Sequence, residues 1–222
     1  MVEYLQLKLC RLKLILSKEN ILAFEKSFRT NFVNSLPGFK SASLIGTTSS
    51  EGRTNLTIFS SVIHIGANPP LMGFLMRPVT VERHTYANIK ETSYFTINHI
   101  NQNIFKLAHQ TSARYKKNTS EFDACGFTPE YSETIKAPYV KESKIKIGLK
   151  FLEEQEIKSN RTIFIVGEIQ EIILPDKVVL ADGLIDLETA ETIAISNLDS
   201  YHKTNKIARL SYAKPGIEPN EI

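Results

Sequence analysis

A chain of 222 residues, 42% hydrophobic and 23% charged, can bury a core without disulfide or metal staples. Its 27 basic and 24 acidic residues leave a net charge of +3, and their scatter excludes the basic face that nucleic-acid binding requires. The two cysteines, Cys10 and Cys125, make neither a disulfide framework nor a metal cluster, and read as free thiols in a reducing, cytoplasmic setting.

The opening MVEYLQLKLCRLKLILSKEN is basic, but Lys8, Arg11 and Lys13 interrupt its leucines. We expect it to be neither a secretory leader nor a membrane span. Residues 4–16 alternate with a break of phase at Cys10-Arg11, as an extra strand or an extension would. We expect residues 1–16 to form an N-terminal extension and 17–222 a single domain. Ser17 is a candidate N-cap, and Ile21, Phe24, Phe28 and Phe32 at helical spacing predict a helix that ends before Leu36-Pro37-Gly38. Strands are predicted over 39–48, 54–70 and 71–77, with a polar turn at Ser49 to Gly52, in the manner of an antiparallel meander. Residues 80–92 predict a helix capped by Thr80, 94–100 a strand, and 101–114 a helix. Residues 115–140, with Gly126, Pro129 and Pro138, read as an irregular excursion. Two long strands, 143–157 and 161–174, turn at Asn160. A short helix over 186–193 and a strand over 194–203 complete the pattern. The class is mainly β: a closed barrel with peripheral helices.

Neither a glycine-rich phosphate loop nor a nucleophile elbow occurs, which argues against an ATPase, a dinucleotide-fold dehydrogenase and a serine hydrolase. His64, His84, His99, His109 and His202 match no metal pattern, and His99 and His109 are expected to be structural. Cys125 has no basic neighbour to activate it as a nucleophile.

One constellation remains. The stretch TNLTIFSSVIHIGANPP (54–70) carries more small polar groups than a structural strand needs. The segment MRPVTVERHTYANI (76–89) places Arg77, Arg83, His84 and Thr85 near a predicted helix start, where cations, hydroxyls and free N–H groups suit a phosphate. Together they fit a flat, edge-polar, phosphorylated ligand. A polar barrel rim beside a solvated helix face would give the same spacing.

In order, Asn55-Leu56-Thr57-Ile58-Phe59-Ser60, Asn68-Pro69-Pro70-Leu71, Arg83-His84-Thr85-Tyr86-Ala87-Asn88-Ile89 and Ile97-Asn98 resemble four blocks of the flavin reductase-like family of FMN-binding split barrels. Weaker matches at Ser112, Glu121-Phe122 and Phe164 to Ile169 extend the resemblance over roughly residues 20–212. The resemblance implies a split barrel, a homodimer, and FMN as cofactor. Asn55, Thr57, Ile58, Phe59, Ser60 and Ser61 would hold the flavin ring edge, and Arg77, Arg83, His84 and Thr85 the phosphate. It also implies an oxidoreductase that passes electrons from NADH or NADPH through the flavin to an acceptor. Two positions depart from the family. Its Lys-Asp-Thr stands here as Arg83-His84-Thr85, which adds donors. Its histidine before the last Gly-Glu-Val stands here as Thr162, which puts nicotinamide use in question, and His202 is a candidate substitute. The rival readings are a flavin electron carrier reduced by a partner protein, and a pyridoxamine phosphate oxidase-like barrel. No metal, membrane or nucleic-acid partner is expected.

Overall fold

A computed structural model describes residues 13–222; most of the alternating segment at 4–16, with Cys10, lies outside them. The chain opens with two short helices, α1 (Lys18–Leu22) and α2 (Lys26–Ser35), in place of the one expected. Ser17 does cap α1, exchanging bonds with Asn20. Glu25 then interrupts: its carboxylate accepts from Ser27 N at 2.8 Å and starts a second helix.

Strands β1 (Lys40–Ser41), β2 (Ser43–Thr48), β3 (Thr54–Phe59), β4 (Val62–Ala67) and β5 (Pro70–Met76) follow, then α3 (His84–Thr92), β6 (Tyr94–His99), α4 (Phe105–Gln110) and α5 (Glu121–Cys125). The chain continues through β7 (Pro129–Glu130), β8 (Tyr139–Val140), the long hairpin β9 (Lys146–Ile157) and β10 (Thr162–Ile173), and the short hairpin β11 (Ile193–Ser196) and β12 (Ser200–Lys203). The main sheet has the order β3-β2-β6-β9-β10-β5-β4. Its two edge strands, β3 and β4, are consecutive in the chain and joined only by Ser60 and Ser61. Two linking residues span about 10 Å at most, whereas seven flat strands would put the edges about 29 Å apart. The sheet therefore curls on itself into a barrel, split where β3 and β4 meet without pairing. Serines bridge the split. Ser41 Oγ donates to Val62 O at 3.1 Å, and Ser61 Oγ donates to Leu75 O and accepts from Leu75 N. The stretch 54–70 is thus two strands on opposite edges of one sheet.

Adjacent residues of β2 serve different cores. Ile45 points into the barrel with Phe74, Phe95, Ile97, Leu149 and Ile165. Leu44 points outward with Leu56, Ile104, Ala108 and Phe122, under α4 and α5. The excursion at 115–140 is what covers this outer face, and it is more ordered than its composition implies. Ser120 caps α5, and Gly126 ends it at φ +76°. The segment then returns through Pro138 and Val140, pinned by Thr96 Oγ1 to Pro138 O (2.7 Å) and Val140 N to Asn98 Oδ1 (2.9 Å). A Cβ on Gly46 would sit 2.2 Å from Pro138 O, so only glycine lets this backbone pass.

Other boundaries shift for local reasons. The helix expected over 101–114 shrinks to α4, because Asn101 Oδ1 binds Asn103 N in a turn. The helix expected over 186–193 is a turn built on Asp186, which accepts from Glu188 N and Thr189 N. The strand expected over 194–203 is the β11–β12 hairpin, reversed at Asn197 with φ +53°. No helix among the described residues is long and apolar enough to cross a membrane.

Candidate functional site

The ten residues singled out in the sequence line one cleft of about 810 Å³, a size usual for small-molecule sites. β3 forms its floor, Ser60 and Ser61 the turn at one end, and Arg77 with the start of α3 the other side.

The floor is an edge strand, and its outward N–H groups are engaged by side chains. Leu56 N donates to Glu121 Oε2 and Ile58 N to Thr111 Oγ1, both at 3.0 Å. Those two backbone donors are therefore spent. Ser61 likewise gives its hydroxyl proton to Leu75 O. Asn55 is buried, and its Nδ2 donates to Thr85 Oγ1 at 3.0 Å. Because Thr85 Oγ1 accepts there, its own proton remains to be donated.

Glu121 is a buried carboxyl in this wall. Burial pushes it above the usual carboxylate range, opposed by the bond from Leu56 N and by the charge of His84. A raised carboxyl favours the fold below the unfolded value near 4.5, and that favour is lost as pH rises through the folded value. Glu121→Gln keeps an acceptor for Leu56 N and removes the charge. Its melting temperature is expected to exceed that of wild type by about 2–4 °C at pH 8 and to match it at pH 4. Circular dichroism melts at both pH values check this, and a less stable variant at pH 8 would contradict it.

The helix expected from Thr80 begins four residues later. Arg83 occupies the N-cap of α3 and makes no side-chain cap bond. The first intrahelical bond runs from Ala87 N to Arg83 O, so the N–H groups of His84, Thr85 and Tyr86 have no acceptor within the helix. The first turn carries no acidic residue, and Arg83 Nε is buried without a partner. A buried guanidinium donor beside an uncapped helix start is built for an anion.

The opposite wall was not foreseen. His109, Ser112, Arg114 and Tyr115 reach it from α4 and the segment after it, Leu198 and Asp199 from the β11–β12 hairpin, and Asn34 from α2. Only Ser112 and Glu121 carried a sequence signal, as weak family matches. His109 was expected to be structural, yet it lines the cleft. The two positions considered for a nicotinamide-facing histidine are placed elsewhere. Thr162 bonds to Asn160 in the β9–β10 turn, and His202 bonds to Ser196 Oγ and packs against Phe39. Neither is among the cleft-lining residues. Cys125 is a buried free thiol, pushed up by burial, with Tyr115 Oη at 3.5 Å. No group of three or more metal-ligating side chains occurs among the described residues.

A mainly β barrel, split beside a polar cleft, defines a split-barrel protein. Residues 36–187 match the model of the flavin reductase like domain, and the chain belongs to that family. It is similar to a candidate flavin reductase with split barrel domain from Shewanella frigidimarina NCIMB 400, at 53% identity and TM-score 0.87, over 90% of this chain and 100% of that one. Nitrilotriacetate monooxygenase component B from Bacillus cereus shares the fold at 19% identity and TM-score 0.78, over 90% of this chain and 100% of that one. Flavoredoxin of Desulfovibrio vulgaris (Miyazaki F) shares it at 24% identity and TM-score 0.66, over 81% and 92%.

Proposed function

We propose that this protein is an FMN-binding oxidoreductase that takes electrons from NADH or NADPH and passes them to an acceptor. The observation that carries it is the uncapped start of α3, with the unpartnered Nε of Arg83, opening on the cleft. These residues fit the phosphate of FMN: Arg83 supplies charge, Thr85 a hydroxyl proton and the helix start its N–H groups. Thr57, Ser60 and the apolar Ile58 and Phe59 suit the edge and face of a flat ring. When bound, the flavin supplies the redox chemistry; the chain's part is to seat it and exclude water around it. Two copies are proposed to associate through β4, an edge strand that leaves Ile63 50% exposed.

A second reading, an electron carrier reduced by a partner protein, is favoured by Thr162 standing where the family has histidine. Purified protein is expected to be yellow, to release FMN on denaturation, and to scatter light at twice the mass of one chain. FAD as the released species would overturn the choice of FMN, and failure to take up FMN would overturn the flavin reading. A monomer with flavin bound would remove the dimer. Anaerobic mixing with NADH or NADPH is expected to bleach the flavin bands; no bleaching with either leaves the carrier reading.

A further inference from the structure

Beyond β12 the chain folds back on itself as a small hairpin arm over residues 209–222. Leu210 pairs with Glu221 and Lys214 with Ile217. Ser211 N donates to Asn220 O at 2.8 Å, and Ile222 N to Arg209 O at 3.0 Å. The turn Lys214-Pro215-Gly216-Ile217 is closed by Ile217 N donating to Lys214 O, with Gly216 at φ +74°; Pro followed by Gly is the pair such a turn favours. The arm contributes no residue to the apolar clusters of the described residues. A two-stranded hairpin with nothing packed on it is at best marginal in water.

The arm has two unlike faces. Side chains alternate along each strand, and directly paired residues share a face. The register therefore gathers Leu210, Tyr212, Ile217 and Pro219 on one face, and Arg209, Ser211, Glu218 and Asn220 on the other. The polar face is turned to its own chain: Arg209 Nη2 donates to Asp182 Oδ2 at 2.5 Å, and Arg209 and Ser211 are half-buried. The apolar face is turned away, with Leu210 58%, Tyr212 90% and Ile217 62% exposed. A second apolar feature is equally bare. Phe24, Phe28 and Phe32 stand four residues apart along α2 and its approach, with ring centroids 4.7, 5.5 and 6.1 Å apart. Yet α2 buries none of its residues. Leu36 and Phe39 follow this stripe, both exposed. Phe39 meets His202 of β12 edge-on at 4.7 Å between centroids, so the end of the stripe neighbours the root of the arm.

We propose that the arm is a clasp between two copies of this chain: its apolar face seats on the α2 stripe of a second copy, whose own arm returns the contact. A two-fold contact joins a surface to its complement on the same kind of chain. This chain bears both halves, and within one chain neither covers the other. Arm and stripe together offer on the order of 800 Å² per copy, the share that a stable interface takes from each partner, and either alone offers about half of that. Exposed apolar surface of this extent marks an interaction site. The clasp also borders the cleft, since Asn34 of α2 lines it. The inference shares with the function proposed above only the expectation of two copies, and it needs no bound flavin.

Cross-linking of the full chain tests the contact. Tyr212→Cys and Phe28→Cys are combined in a Cys10→Ser, Cys125→Ser background and treated with a flexible bismaleimide. A link between two chains, read as doubled mass on a denaturing gel, supports the clasp. A link within one chain, or none, overturns it. Sedimentation of uncross-linked protein supplies the energetics. Tyr212→Ser with Ile217→Ser on the arm, or Phe28→Ser on α2, is expected to weaken the dimer about a hundredfold or more. These side chains are exposed in the single chain, so the circular dichroism spectrum is expected to stay that of wild type. Combining the arm and stripe variants adds little, because both act in one contact. A dimer that withstands both sets overturns the clasp and leaves β4 as the contact, and a monomeric wild type overturns it too. Seating of residues 1–12 on the stripe would leave the Phe28→Ser chain dimeric but lower-melting, which equally overturns it.

Discussion

Replacing Arg83 with alanine is expected to weaken FMN binding by about one to two orders of magnitude, from a charge-assisted bond worth roughly 1.5–3 kcal/mol. Riboflavin, which lacks the phosphate, is expected to bind with unchanged affinity. The reasoning starts from an imbalance. Arg83 Nε is buried and has no partner, so the guanidinium sits partly desolvated with nothing to compensate it. Such a group costs stability until an anion arrives. Truncating it leaves no acceptor orphaned, because none was bonded to Nε. The ligand-free variant is therefore expected to melt no lower than wild type, which separates lost binding from lost folding. Fluorescence titration of both flavins against both proteins decides the matter. If riboflavin loses as much as FMN, Arg83 shapes the wall and does not hold the phosphate. If neither changes, it is a solvated arginine.

The sequence makes one wall of the cleft readable and hides the other, for a physical reason. Asn55 to Ser61 and Arg77 to Thr85 lie within about thirty residues, and their polar groups interrupt patterns that a core would keep apolar. His109, Leu198 and Asp199 lie in segments ordinary for a helix end and a hairpin turn. Packing of α4 and of the separate sheet β1-β11-β12 on the outer face of β2 and β3 brings them opposite β3. These contacts join segments far apart in the chain, and local periodicity cannot show them. Boundaries failed where a side chain competes with the backbone. Asp186 turns a helical pattern into a turn by binding two N–H groups, and Asn197 folds an expected strand back on itself by adopting positive φ. The late start of α3 has a different meaning. Thr80 was available as a cap by its chemistry, yet the helix starts at His84, with its N–H groups left open beside the cleft. There the departure from local preference coincides with the proposed site, as it often does where function and folding compete.

The wild-type protein is expected to lose about 2 kcal/mol of stability between neutral pH and pH 5, and His99 to account for it. His99 ends β6, with its backbone N–H bonded to Ile145 O and its Nδ1 3.5 Å from Thr192 Oγ1. Burial alone pushes it down from 6.5 to about 4. The sign follows from where the proton goes. Above 6.5 the ring is neutral folded or unfolded, and the contribution is constant. Between 6.5 and 4 the unfolded chain takes up a proton that the folded chain refuses, so stability falls by up to about 1.4 kcal/mol per pH unit. Below 4 both states are protonated, and the loss levels off at about 3 kcal/mol. The carboxyls of Glu19, Glu25, Glu82, Glu91, Asp182, Asp186 and Glu191 are all held below their ordinary values of 4.5 and 3.8, so their losses come mainly at lower pH. Glu121, raised by burial, acts in the opposite sense as pH falls. The window from 6.5 to 5 therefore isolates His99 among the losses. His99→Gln keeps a polar side chain and cannot titrate. Urea unfolding midpoints at pH 7.5, 6 and 5, taken at one protein concentration, are expected to fall for wild type and to stay level for the variant. Parallel falls in both proteins would assign the acid loss to other groups, and a level wild type would mean that His99 takes up its proton inside the fold.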